Sequence, residues 1–129
     1  MVVKNLSHIS LSAKSLDNVK SFYVDLLKLK ITHEFRNKKN NELYGFFLSS
    51  GKRTFLEFFK NKNKRKIGNI FRHICFEVND IKKVRKKLTS YSPTLIKRGK
   101  TDKILQFFVK DPENNIVEFH QRDKQSKFF

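Results

Sequence analysis

From His8 the chain alternates polar and apolar residues through His8-Ile9-Ser10-Leu11-Ser12-Ala13, the period of two expected of a half-buried strand. The period then changes. Leu16, Val19 and Tyr23 recur at helical spacing behind Ser15, a residue type that caps helix N-termini. The same succession returns from His73. The segment HISLSAKSLDNVKSFY lies over HICFEVNDIKKVRKKL without a gap, so that His8 falls on His73, Ile9 on Ile74, Leu11 on Phe76 and Ala13 on Val78. In the helical part Leu16 falls on Ile81, Val19 on Val84 and Tyr23 on Leu88, with Asp80 as the second cap. A second pair of segments matches equally well. FFLSSGKRTFLEF, residues 46–58, lies over FFVKDPENNIVEF, residues 107–119, placing Phe46 and Phe47 on Phe107 and Phe108, Leu56 on Val117, Glu57 on Glu118 and Phe58 on Phe119. The chain is a tandem duplication.

Each half reads as a strand, a helix and three further strands, which makes the chain α+β with two βαβββ modules. The later strands are expected at roughly 31–36, 42–49 and 54–59, and at roughly 94–97, 104–109 and 115–120. Asp111-Pro112-Glu113-Asn114 supplies the turn of the last hairpin, with Asn114 and Asn115 both suited to positive φ. With the helix covering one strand face, Ile9, Leu11, Leu56 and Phe58 form core in the first half. Ile74, Phe76, Val117 and Phe119 are their counterparts. The modules run over about 4–59 and about 70–121, joined by a linker at about 60–69 that contains the basic run from Lys60 to Lys66.

Composition supports a single domain of two modules: 129 residues, 38% of them hydrophobic and 14 of them Phe, are enough for a real core. The formal net charge of +17 raises a polynucleotide partner, but the lysines are scattered through every predicted element and are not gathered on one arm. A diffuse solvated surface is expected, with no nucleic-acid partner; its positive field would draw in small anionic substrates. The single cysteine, Cys75, excludes a disulfide framework and a cysteine-based zinc cluster. The N-terminal MVVKNLSHISLS lacks the apolar core of a signal peptide, and no stretch reaches membrane-spanning length, so a cytoplasmic protein without membrane contact is expected.

Strand alternation puts His8, Glu57, His73 and Glu118 on the faces opposite the core. They are the only His and Glu matched between the copies. Two imidazoles and two carboxylates converging on one concavity suit a divalent ion of the Mn, Fe, Co, Ni or Zn series, with coordination positions left for water or substrate. Ser10, Cys75, Glu77 and His120 share these faces. Cys75 reads as a small packing residue, whereas Glu77 and His120 are either supporting groups, a spare acid and base, or a hydrogen-bonded structural pair. His33 and Glu34 have no match in the second half and are expected on the surface.

The paired βαβββ pattern, the H-I-x-L/F strand before a helix and the closing D-P-x-x-N-x-x-E turn and strand resemble the vicinal oxygen chelate superfamily over residues 4–121. The ordered His, Glu, His, Glu set is similar to that of glyoxalase I (lactoylglutathione lyase). The resemblance implies that the two modules form a cupped, barrel-like sheet, the glyoxalase/bleomycin resistance/dioxygenase fold. It implies one divalent metal ion (Ni, Co, Zn, Mn or Fe) per site, held by His8, Glu57, His73 and Glu118, and a homodimer whose sites combine modules of both chains. It implies a lyase or isomerase in which the metal binds adjacent substrate oxygens while Glu118, with Glu57 as partner, moves a proton between neighbouring carbons. Related enzymes of the superfamily, extradiol dioxygenases and thiol transferases, need only His8, His73 and Glu118, methylmalonyl-CoA epimerases usually carry Gln in place of Glu57, and resistance-type binding proteins use no metal. The family's glutathione contacts fall on Ser12, where glyoxalase I commonly carries Arg, and on Asn61; Lys97, Arg98 and Lys103 lie in the second-module segment where the family places basic substrate contacts, and His120, two residues beyond Glu118 on the same face, is a further candidate substrate contact by strand alternation.

Overall fold

The computed structural model describes residues 6–61 and 73–127. The chain divides into two units, Met1–Lys66 and Ile67–Phe129, each built on one open four-stranded sheet. In the first, β1 (His8–Ala13), α1 (Leu16–Lys20), β2 (Lys30–Arg36), β3 (Leu43–Gly51) and β4 (Thr54–Lys60) give the sheet order β1-β4-β3-β2. In the second, β5 (Ile74–Glu77), α2 (Ile81–Lys87), β6 (Lys97–Arg98), β7 (Leu105–Lys110) and β8 (Ile116–Gln121) give the order β5-β8-β7-β6. The first strand of each module pairs in parallel with the last, and the remaining pairs are antiparallel. This is the βαβββ succession, twice. Most of the segment expected to link the modules lies outside the described residues.

Both helices begin where a short oxygen-bearing side chain satisfies a free amide. Ser15 Oγ accepts from the Asn18 amide at 3.2 Å, and Asp80 Oδ1 accepts from that of Lys83 at 3.1 Å. The first helix continues as a π-helical segment over Ser21–Leu26, closed by a Leu27 amide that donates to the Phe22 carbonyl. Leu16, Val19 and Tyr23 form the expected buried stripe, and the neighbouring Phe22 is fully buried as well. Tyr23 packs on Phe58 with ring centroids 5.2 Å apart.

Beneath each helix the same aromatic pair recurs across the two central strands: Phe46 with Phe58 at 5.9 Å, and Phe107 with Phe119 at 5.1 Å. Leu11, Leu56, Ile74 and Val117 complete this layer and are buried, while Ile9 and Phe76, on the same edge strands as Leu11 and Ile74, are only half-buried. Each fully buried side chain of this size contributes roughly 1.5–3 kcal/mol through its removal from water.

One strand differs from expectation. A strand is predicted at 94–97, but β6 is only Lys97–Arg98. The Thr94 amide does reach the Phe108 carbonyl at 2.9 Å, yet the Thr94 carbonyl is taken by the Arg85 guanidinium at 2.7 Å. The Phe108 amide turns instead to the Thr94 hydroxyl at 2.9 Å, so a side chain replaces one rung of the ladder. The hairpin at Asp111 follows its sequence closely. Asn114 adopts φ of 65°, and the buried Asp111 carboxylate accepts from the Glu113 and Asn115 amides and from the Asn115 side chain.

Candidate functional site

The two modules present the same chemistry on the sheet face opposite their helices. Ile9 stands beside Leu56 and Ile74 beside Val117, equivalent pairs in the repeat, so the parallel registers are identical. Glu57 therefore lies between Ser10 of β1 and Phe47 of β3, and Glu118 between Cys75 of β5 and Phe108 of β7. Each module's leading histidine meets the same phenylalanine edge-on: His8 and Phe47 at 5.9 Å and 76°, His73 and Phe108 at 6.0 Å and 82°. These contacts orient the imidazoles over the sheet.

In the second module the histidine and the carboxylate are close, with His73 Nε2 3.7 Å from Glu118 Oε2. An imidazole nitrogen and a carboxylate oxygen bound to one divalent ion sit roughly 3–3.4 Å apart. A shift of a few tenths of an ångström brings the pair to that separation. Only 13% of the Glu118 side chain is exposed, so the carboxylate is largely enclosed by its neighbours. His8 and Glu57 supply the same two donor types on the equivalent face of the first module. Nitrogen and carboxylate oxygen donors of this kind suit ions from Mn to Zn.

Beside Glu118 the second module adds groups that the first lacks. Cys75 Sγ is 3.4 Å from His120 Nδ1, and ligand atoms of Cys75, Glu118 and His120 all lie within 4.8 Å of one another. The sulfur is crowded although the residue as a whole is exposed. Desolvation first, then the hydrogen bond and negative charge of Glu118, and then the charges of Glu77 and Asp102, push the Cys75 thiol well above its ordinary value.

The remaining predicted positions are dispersed. Ser12 is exposed on β1 on the same face as His8, and Asn61 follows β4 with its amide donating to the Ala13 carbonyl at 2.8 Å. Lys97 is exposed opposite Gln106, on the face that carries His120. Arg98 points to the other face and donates two hydrogen bonds to Asp123, at 3.0 and 2.7 Å, and a third to the Lys103 carbonyl at 2.6 Å. Lys103 sits in a turn with φ of 58°. Glu77 is exposed opposite His120, and His33 is exposed beside an ion pair between Glu34 and Arg36 at 2.6 Å.

Sequence reasoning missed a cavity of about 570 Å³ within the second module, bounded by His73, Tyr91, Ser92, Thr94, Phe108, Val109, Lys110 and Ile116. Its size suits a small ligand. Lys110 was legible as a neighbour of the site, since it follows Phe108 by two residues on the same face of β7. Tyr91 and Ser92 were not, because they arrive from the turn after α2.

The sequence matches the model of the Glyoxalase/Bleomycin resistance protein/Dioxygenase superfamily over residues 5–119. No protein among those with curated functions matches. In fold the chain is similar to a glyoxalase family protein from Enterococcus faecalis, at 22% identity and a TM-score of 0.76 over 93% of this chain and 99% of that one. It is similar to lactoylglutathione lyase from Agrobacterium tumefaciens, at 18% identity and a TM-score of 0.68 over 92% and 94% of the two chains. It is also similar to an antibiotic binding protein from a Streptomyces species, at 14% identity and a TM-score of 0.69 over 95% and 99%. Among the described residues no helix is long and apolar enough to cross a membrane. With the sequence match running through both βαβββ modules, the chain belongs to the Glyoxalase/Bleomycin resistance protein/Dioxygenase, or vicinal oxygen chelate, superfamily.

Proposed function

We propose that this protein is a metal-dependent lyase or isomerase of the glyoxalase I type, moving a proton next to a carbonyl of a small α-oxygenated substrate. The observation that carries the reading is the doubling of one His and one Glu at identical register in both modules, each His fixed by an equivalent Phe. His8, Glu57, His73 and Glu118 form the ligand set of one divalent ion, brought together across a homodimer as the family resemblance implies. When bound, the ion supplies Lewis acidity toward neighbouring oxygens of the substrate. Glu118 takes up the substrate proton on a carboxylate oxygen and returns it to the adjacent carbon, and Glu57 holds the opposite side of the site. Lys110, at the rim of the cavity beside His73, receives an anionic end of the substrate. The protein acts in the cytoplasm.

A second reading has its own support. The cavity beside His73 is walled largely by Tyr91, Phe108, Val109 and Ile116, surfaces that suit an apolar ligand held without chemistry, as in a resistance-type binding protein. Elemental analysis of the purified protein, before and after reconstitution with Ni, Co, Mn, Fe and Zn, separates the two. The lyase reading expects about one ion per chain and turnover in a screen of hemithioacetals, acyl-CoA epimers and catechols. A protein that takes up none of the five ions belongs to the binding class.

A further inference from the structure

The repeat provides an internal control for the face around Glu118. Where the second module has Cys75 and His120, the first has Ser10 and Phe59 at the equivalent positions, and where it has Gln106 the first has Gly45. In the first module the Phe59 ring lies directly over Gly45, so that spot is filled with carbon. In the second the same spot holds an imidazole facing an amide-bearing strand, with a thiol on the other side. The scaffold does not require those groups, since the first module forms the same sheet without them.

We propose that Cys75, Glu118 and His120 form a second metal site, a thiolate, carboxylate and imidazole set for a thiophilic divalent ion such as zinc. Sulfur and nitrogen bound to one tetrahedral zinc at their usual bond lengths lie roughly 3.6 Å apart. Cys75 Sγ and His120 Nδ1 stand at 3.4 Å. The group's largest ligand-to-ligand separation is within 4.8 Å, and rotation of the Glu118 carboxylate closes the remainder. Three protein donors with water in the fourth position complete the shell, and Glu77, exposed opposite His120, is within the same strand pair to orient the imidazole. Binding releases the Sγ proton to solvent, so no other co-reactant is needed. A donor set containing sulfur selects against Mn and Mg and in favour of Zn and Co more sharply than nitrogen and carboxylate donors alone. The site shares Glu118 with the proposed catalytic centre but does not rest on the lyase reading: it needs neither His8, Glu57 nor His73.

Cobalt(II) tests the assignment, because a sulfur-bound Co(II) absorbs in the near ultraviolet by charge transfer and Cys75 is the only cysteine in the chain. Titration of the whole protein with Co(II) is expected to raise that band, and Zn(II) to displace it. Cys75→Ser, which places in the second module the residue that the first already carries, should abolish the band while thermal melting stays cooperative. His120→Ala should weaken Co(II) binding at this band by at least about 10-fold. The band should survive His8→Ala and Glu57→Gln, which dismantle the four-ligand centre. A second measurement covers the case in which the variants fold poorly: Zn(II) should slow alkylation of Cys75 in the unmodified protein. Co(II) uptake with no charge-transfer band and no protection of Cys75 overturns the proposal. So does a band lost on His8→Ala, which would make the thiolate part of the four-ligand centre, or one unchanged by His120→Ala.

Discussion

Glu118 sits where His73, Cys75 and His120 come together on its sheet face. His73 approaches from one side at 3.7 Å, Cys75 lies across the parallel strand, and Phe108 flanks it on β7. A carboxylate so enclosed can be a ligand, a base or both, and the isosteric amide separates these roles. Glu118→Gln retains shape and one oxygen donor but removes the proton acceptor. Turnover is expected to fall by about 10²–10⁴-fold with a smaller loss of metal affinity, read from steady-state kinetics beside elemental analysis. Glu57→Gln is expected to be milder and to shift preference among substrates. An unchanged rate with Gln at position 118 would remove Glu118 from proton transfer. The candidate ligands at this scale were legible in the sequence, because alternation and repetition together single out one His and one Glu per copy. The Cys75 and His120 contact was not, since strand register decides which residues of separate strands become neighbours.

At the level of elements, two local devices shape the sheets. Gly45 stands opposite Phe59, and a Cβ there would lie 2.5 Å from Phe59 Cδ1 and 2.7 Å from the Phe58 carbonyl oxygen. The ring can rotate away but the backbone oxygen cannot. Gly45→Ala is expected to destabilise the protein by roughly 1–3 kcal/mol, measured by denaturant unfolding, because the strand pair must spread to admit the methyl group. The second device ties the chain after β8 to β6. Arg98 donates to both carboxylate oxygens of Asp123, and this contact draws the Asp123 carboxyl down to about 2 from an ordinary 3.8. A folded value below the unfolded one means that the tie contributes fully above the ordinary carboxylate range and is lost as pH falls through about 2. An NMR titration of the Asp123 carboxyl carbon is expected to show that low midpoint, and Arg98→Ala to return it toward the ordinary value. Neither device was visible in the sequence pattern, which marks where strands lie but not which polar groups meet across them. The 94–97 strand shows the same limit: its residues suit a strand, but Arg85, reaching from α2, claims the Thr94 carbonyl.

For the whole molecule, the proposed pairing of modules across a homodimer leads to a complementation test. A chain with His8→Ala and a chain with His73→Ala are each expected to be inactive. If each site combines the first module of one subunit with the second of its partner, a mixed dimer holds one doubly damaged site and one intact site. Mixing the two variants under conditions that exchange subunits should then restore activity, up to about half of the native value per mixed dimer. No recovery in a mixture shown by mass spectrometry to contain mixed dimers would place both halves of each site in one chain. The surface charge of +17 bears on the same scale, since it opposes close approach of two copies at low salt and favours an anionic substrate.

The sequence alone determined the duplication, the βαβββ succession, the caps at Ser15 and Asp80 and the division of each strand into core and chemical faces. These follow from local rules: a period of two or of 3.6 and a side chain that bonds its own neighbouring amides leave their mark within a few residues. Tertiary structure decided what depends on distance across strands and turns. The closeness of Cys75 to His120, the commitment of Arg98 to Asp123, the side-chain rung at Thr94 and the cavity that Tyr91 and Lys110 share with His73 each join residues ten or more apart. Such meetings depend on the register and twist of the assembled sheet, which are set by the packing of many side chains together and written in no single stretch.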